Sequence, residues 1–206
     1  IIGCGTMGGG IAMNFASAGI PVTILEMTEE ALERGLGIIE GNYAATVKKG
    51  RLSQDRMDAA MGNITGTNNY EDLSDVDMVI EAVFEDRAIK ADVTAKTEAV
   101  IAADAIFASN TSTLPITGLA EASARPANFI GLHFFSPVDK MPLVEIIMGE
   151  KTGDVALARA MDFVKRIRKT PVVVNDSRGF YTSRVFATYV AEGLALLGEG
   201  VKPALI

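Results

Sequence analysis

The chain opens Ile1-Ile2-Gly3-Cys4-Gly5-Thr6-Met7-Gly8, and the next apolar run, Val22-Thr23-Ile24-Leu25, ends in Glu26. Three glycines spaced G-x-G-x-x-G between strand and helix, with an acid 18 residues past the third, leave few folds open. Gly3 permits the tight turn, and Gly5 lets a pyrophosphate approach the backbone. Gly8 lets the helix pack on the strand, and the helix N-terminus faces the phosphate charge. Glu26 is placed to accept hydrogen bonds from ribose hydroxyls. A 2′-phosphate would meet its like charge, and neither Met27 nor Thr28 is an arginine that could neutralise it, so the motif favours NAD over NADP. Glycines alone fit any tight strand–helix turn. The flanking strand, helix and acid make this one a dinucleotide fingerprint.

With 206 residues there is room for one large α/β domain and the start of a second. A net charge of −7 argues against nucleic acid or an anionic membrane surface as partner. No apolar run is long enough to span a membrane, and no segment reads as a signal peptide. Cys4 is the only cysteine and His133 the only histidine. That excludes a disulfide framework and any Cys-based or multi-histidine metal site, so no metal is expected; a reducing interior compartment fits.

Alternating strand and helix patterns predict a Rossmann-type, doubly wound, mainly parallel sheet. Residues 7–18 read as a helix stopped by Gly19 and Pro21, followed by a strand over 21–26. Thr28 caps a long helix over about 29–49, Ser53 a short one before Gly62, and Asp86 one reaching about Ala103. Further strands are expected at 77–82, 105–109, 129–133, 143–147 and 172–175, with a helix over 154–168 before the last. Residues 1–178 form the dinucleotide-binding domain in this reading, and 179–206 a connector helix, with its helical stretch over 180–198, into a C-terminal helical domain. Only two strand residues precede Gly3, so the chain reads as part of a larger protein.

Ligands of open parallel sheets sit outside the carboxyl ends of the strands, so polar residues there are informative. Three such ends converge: Glu81-Ala82-Val83-Phe84-Glu85-Asp86 with Lys90 one turn on, Ser109-Asn110-Thr111-Ser112-Thr113, and His133-Phe134-Phe135-Ser136-Pro137. Glu145 is the anomaly. Strand alternation puts it with Leu143 and Ile147 while the other face carries Val144, Ile146 and Met148, so it is at least partly buried and needs a partner. His133 fits: Glu145 would fix its tautomer and leave the second nitrogen free to take a proton from a substrate hydroxyl. A structural His–Glu pair, or a histidine stacked among Phe134 and Phe135, is the plainer alternative. Ser112 is read either as a turn or cap before Leu114-Pro115 or as a hydrogen-bonding group at a reacting oxygen. Lys48 and Lys49 contact an anionic substrate or simply solvate a helix end.

At these residues the chain resembles the NAD-binding domain of L-3-hydroxyacyl-CoA dehydrogenases, including the dehydrogenase part of multifunctional fatty-acid β-oxidation proteins. The likeness runs through the glycine turn, Ile80-Glu81-Ala82-Val83-Phe84-Glu85, Phe107 to Ser112, and Gly131 to Pro137 followed by Val144-Glu145. It implies that His133 is the catalytic base, Glu145 its orienting acid, and Ser112 the residue on the substrate oxygen. NAD contacts are implied for Gly3, Gly5, Thr6, Met7, Gly8, Glu26, Ala82, Glu85, Lys90 and Asn110, and a coenzyme A contact for Lys48. Two positions depart from the family pattern: Ser136 and Ser183 stand where an Asn is usual, both as substrate-side residues. The implied activity is NAD-dependent oxidation of a 3-hydroxyacyl-CoA to a 3-ketoacyl-CoA, or the reverse. It would occur in a homodimer or multifunctional complex assembled through the C-terminal domain. The implied location is the cytoplasm of a bacterium, or the mitochondrial matrix or peroxisome of a eukaryote. A dehydrogenase of a small free hydroxy acid, or a nucleotide-binding module without turnover, are the competing readings.

Overall fold

Ile2 is the seam of the sheet. In the computed structural model, which describes residues 1–206, it bridges Leu25 on one side and Glu81 on the other. Its amide donates to Ile80 O at 3.0 Å, its carbonyl accepts from Ala82 N at 2.8 Å, and Gly3 N donates to Leu25 O at 2.9 Å. With Ile1 and Gly3 bonded to β1 (Val22–Leu25) and Ile2 to Ile80 and Ala82, this short segment joins β1 and β2 (Ile64–Thr67) to five further strands. These are β3 (Met78–Glu81), β4 (Ile106–Ser109), β5 (Phe129–Phe134), β6 (Leu143–Met148) and β7 (Thr170–Asn175).

The resulting order is β2-β1-Ile2-β3-β4-β5-β6-β7. Pairing is parallel from β2 through β5; β6 runs antiparallel to β5, and β7 parallel to β6. The helices are α1 (Thr6–Ser17), α2 (Glu29–Lys48), α3 (Gln54–Gly62), α4 (Arg87–Glu98), α5 (Ile116–Leu119), α6 (Asp154–Arg166) and α7 (Thr182–Gly198). Two apolar clusters separate the faces: α1, α2, α3 and α6 pack one, and α4 and α5 the other. The chain leaves Ile2 first toward β1 and then returns to β3 on the other side. The crevice at this reversal, outside the strands' carboxyl ends, is where a doubly wound sheet binds its ligand.

The expected caps form: Thr28 accepts from Ala31 N, Ser53 from Arg56 N, and Asp86 from Ala88 N and Ile89 N. Several boundaries differ from the sequence reading. β2 was not expected, because Ile64-Thr65-Gly66-Thr67 has little apolar patterning; it forms because β1 supplies its register and Leu32 and Leu36 of α2 cover Gly66. α4 stops at Glu98 rather than near Ala103, since the Val100 and Ile101 amides turn back to Thr97 O. α6 ends at Arg166, with Arg168 at φ 60° closing the helix through Lys169 N to Val164 O.

α2 lies directly on the glycine turn. A Cβ on its buried Gly35 would sit 2.4 Å from Cys4 Sγ and 2.8 Å from Cys4 O, so only glycine allows this approach. A Cβ on exposed Gly37, two residues on in the same helix, would meet nothing. Gly35→Ala is therefore expected to destabilise the chain by roughly 1–3 kcal/mol through overpacking. Gly37→Ala is expected to be neutral or stabilising by up to about 1 kcal/mol through helix propensity. Denaturant melts of the two variants side by side check this; equal destabilisation by both would contradict it.

Candidate active site

The glycine turn has the form a dinucleotide needs. Gly3 adopts φ +93°, and a Cβ there would lie 2.9 Å from Ala82 O. A Cβ on Gly8 would fall 1.9 Å from Gly3 O, while the space beside Gly5 is open. α1 has no side-chain cap and no acid in its first turn. Its first helical bond runs from Gly9 N to Gly5 O, so the amides of Thr6, Met7 and Gly8 remain for an outside acceptor. A negative group is thus met by free amides and the positive end of a helix dipole. Glu26 closes on the turn, its carboxylate accepting from Cys4 N at 2.6 Å and Met27 N at 3.1 Å, with lone pairs to spare. These residues fit NAD.

A cleft adjoins the turn. Its walls include Met7, Glu85, Asn110, Ser112, His133 and the exposed Ser136, with Ala82 beside them. Asn110 Oδ1 accepts from Phe134 N at 2.9 Å, tying the end of β4 to that of β5. The turn expected at Ser112 belongs to Thr111, whose hydroxyl accepts from Leu114 N at 3.0 Å. The Ser112 hydroxyl is therefore free of intramolecular partners, and its side chain is exposed.

Register sets the central pair. His133 on β5 is directly opposite Glu145 on β6, and its Nδ1 lies 2.7 Å from Glu145 Oε2. Glu145 has no exposure to water, and His133 is 5% exposed. Phe135 packs against the imidazole at 4.4 Å between ring centres and Phe180 at 5.9 Å. Three more hydrogen bonds reach Glu145 from the start of α7: Tyr181 N at 3.0 Å, Thr182 N at 2.8 Å and Thr182 Oγ1 at 2.7 Å. Burial pushes the Glu145 carboxyl up, but the donors from His133, Thr182 and Tyr181 outweigh it and hold the group below the ordinary carboxylate range. With Nδ1 committed to a carboxylate, Nε2 is the imidazole's free nitrogen. It can accept a proton while Glu145 steadies the resulting charge.

Beneath the opposite wall lies a second buried carboxylate. Glu81 and Lys90 are 1% and 2% exposed, and Lys90 Nζ meets both Glu81 oxygens, at 2.8 and 2.9 Å. Ser109 Oγ and Val83 N complete the shell around Glu81. Burial pushes the Glu81 carboxyl up. Lys90 Nζ is also 3.4 Å from Glu85 Oε2, whose other oxygen takes Thr111 Oγ1 and the Ser112 amide. Partial burial raises the Glu85 carboxyl, and these donors more than reverse that, leaving it lowered. Lys90 thus lies under the cleft wall, paired with Glu81 and supporting Glu85.

Two expected substrate residues stand apart. Lys48 is exposed in the last turn of α2 and is not on the cleft wall. Ser183 follows Thr182 on α7, half-buried, without a hydrogen bond and off the wall. Thr182, Thr111 and Glu81 were not singled out as site residues. The signal available for Thr182 was the uncompensated Glu145, which needs more donors than one imidazole can give.

A family model described as the NAD binding domain of 3-hydroxyacyl-CoA dehydrogenase matches residues 1–177. The fatty acid oxidation complex subunit alpha of Pseudomonas paraeruginosa is 45% identical over 201 residues; the match takes in 98% of this chain but 28% of that subunit. The crystal structure of (S)-3-hydroxybutyryl-CoA dehydrogenase from Ralstonia eutropha superposes with a TM-score of 0.95 at 35% identity, over 98% of this chain and 71% of that one. An NAD+-dependent dehydrogenase of a pyridine carboxylic acid superposes with a TM-score of 0.88 at 34% identity, over 99% and 66%.

Two outcomes follow from the buried carboxylates. Lys90→Met leaves Glu81 buried without its cation and is expected to cost about 3–5 kcal/mol of stability. Asp92→Asn, which breaks the exposed Lys96–Asp92 pair, should leave the urea midpoint in place. The lowered Glu145 carboxyl contributes stability that is present above its unfolded value near 4.5 and is lost as pH falls below it. Glu145→Gln should therefore flatten the acid side of the stability–pH curve, measured by denaturant melts from pH 6 down to about 3.

Proposed function

From the premise that this chain belongs to the 3-hydroxyacyl-CoA dehydrogenase family, through its NAD-binding domain, we propose that it oxidises the 3-hydroxyl of a 3-hydroxyacyl-CoA to the ketone, reversibly. The observation that carries this reading is the buried His133–Glu145 pair at 2.7 Å, on a cleft whose wall also includes Met7 of the glycine turn. Bound NAD supplies a hydride acceptor for the substrate carbon. The amides of Thr6, Met7 and Gly8 would hold its phosphates, and Glu26 would accept from its ribose hydroxyls.

His133 Nε2 takes the hydroxyl proton, and the Nδ1–Glu145 bond fixes the tautomer that makes this possible. Glu145 stabilises the imidazolium without accepting its proton, since three further donors keep it anionic. In the reverse direction the imidazolium returns the proton to the carbonyl oxygen. The free Ser112 hydroxyl holds that oxygen against His133, and the exposed Ser136 contacts the substrate further out. Glu85, fixed by Lys90 and Thr111, stands on the cleft wall and would contact the bound cofactor. Residues 1–178 form the cofactor-binding unit, and α7 carries the chain into a helical domain that completes the substrate cleft and the subunit contacts.

The likeness to a pyridine carboxylic acid dehydrogenase supports a second reading, in which the substrate is a small free acid. Dependence on coenzyme A separates the two. NADH consumption with acetoacetyl-CoA and with free acetoacetate, by the full-length protein and a His133→Gln variant, is the test. The expected result is turnover only with the thioester, and a loss in His133→Gln of at least about 100-fold with NADH binding retained. Turnover of the free acid, or full activity in the variant, would overturn the proposal.

A further inference from the structure

Glu145 is fully buried, and only one of its four hydrogen bonds comes from His133. The other three come from the first residues of α7, and one of these is a side chain, the Thr182 hydroxyl, 2.7 Å from Oε2. Oε2 is also the oxygen that meets His133 Nδ1. We propose that Thr182 is a positioning residue for proton transfer: its hydroxyl shares Oε2 with the imidazole and thereby sets both the orientation of Glu145 and how strongly Glu145 draws on His133. This rests on the reading of His133 as the base.

The backbone is built to deliver that hydroxyl. Gly179 at φ 75° and Phe180 at φ 49° are consecutive left-handed residues that turn the chain from β7 into α7. Phe180 is 2% exposed with its ring against the imidazole, and the Phe180 amide is fixed on Ser177 O at 2.9 Å. The next two amides then point at Glu145 Oε1, which leaves Oε2 to His133 and Thr182 alone. A second donor on Oε2 withdraws electron density that would otherwise go to Nδ1–H. It makes the carboxylate a weaker acceptor for the imidazole, and the imidazole a weaker base.

Few other charges bear on the pair. Across the cleft, Glu85 is the one other charged group on the wall, and it is engaged by Lys90, Thr111 and the Ser112 amide. Asn110 and Ser112 from the β4–α5 loop do not titrate, Val172 stands beside Glu145 on β7, and Tyr181, just before α7, gives only its amide.

Thr182→Val removes the hydroxyl and keeps the shape, whereas Thr182→Ser keeps the hydroxyl. In full-length protein, the acid limb of log(kcat/KM) for 3-hydroxybutyryl-CoA oxidation should move to higher pH by about half a unit or more in Thr182→Val and stay in place in Thr182→Ser. The Nδ1 proton resonance of His133, assigned by its absence in His133→Gln, should move downfield in the valine variant only. A valine variant with reduced activity but an unmoved limb and resonance would overturn the proposal, because Thr182 would then merely anchor α7. Equal shifts in both variants would overturn it too. If wild-type protein turns over no 3-hydroxyacyl-CoA, the functional reading fails, and the resonance alone decides whether Thr182 acts on the pair.

Discussion

A carboxylate without access to water, held between β5 and α7, organises the reactive half of this molecule. Glu145 can stay ionised there only because four donors converge on its two oxygens. Each donor is thereby fixed in turn. The imidazole is held as one tautomer facing the cleft, and two amides and a hydroxyl pin the first turn of α7 to β6. The antiparallel reversal at β6 is what makes this possible. A parallel strand after β5 would need a crossover helix, whereas β6 returns directly and brings Glu145 into register with His133.

The cofactor half uses the same principle with different chemistry. Glu81 is as deeply buried as Glu145, but its main partner is a full cation, Lys90, which in turn reaches Glu85 at the surface of the cleft. Lys90 thus links the buried end of β3 to the cleft wall. The two carboxyls are shifted in opposite directions: burial wins at Glu81, which is pushed up, and hydrogen bonding wins at Glu145, which is held down. Glu85, partly open to solvent, needs only the Thr111 turn and the lysine to remain anionic.

What could be read from the residues follows from how local each signal is. The glycine turn, the Thr28, Ser53 and Asp86 caps and the apolar strands carry their own instructions, and they form where those instructions place them. Glu145 was legible as a buried acid because alternation left it no solvent face, and a lone histidine made its partner easy to name. β2 was not legible, since its four residues owe their strand to β1 and to the leucines of α2. The burial of Lys90 was hidden for a related reason: sequence spacing puts it one turn into α4, but its pairing with Glu81, nine residues earlier, is set by the tertiary fold. Thr182 was hidden because its role depends on a left-handed turn at Gly179 and Phe180, and positive φ at a phenylalanine has no sequence signature.

α7 is the element in which these constraints meet. None of its residues is buried along 17 positions, so packing against this domain does not hold it. Its attachment is the Glu145 cluster, with Phe180 wedged beside the imidazole just before the helix begins. The neighbours of Glu145 on β6 are Val144 and Ile146, and its partner on β7 is Val172, so none of these strand neighbours can replace the donors that α7 brings. Tilting α7 away would strip Oε1 of both amides and Oε2 of its hydroxyl together, leaving a buried charge with the imidazole as its only partner. The cost of that uncompensated charge opposes any such tilt, so the orientation of Glu145 and the placement of α7 are fixed together.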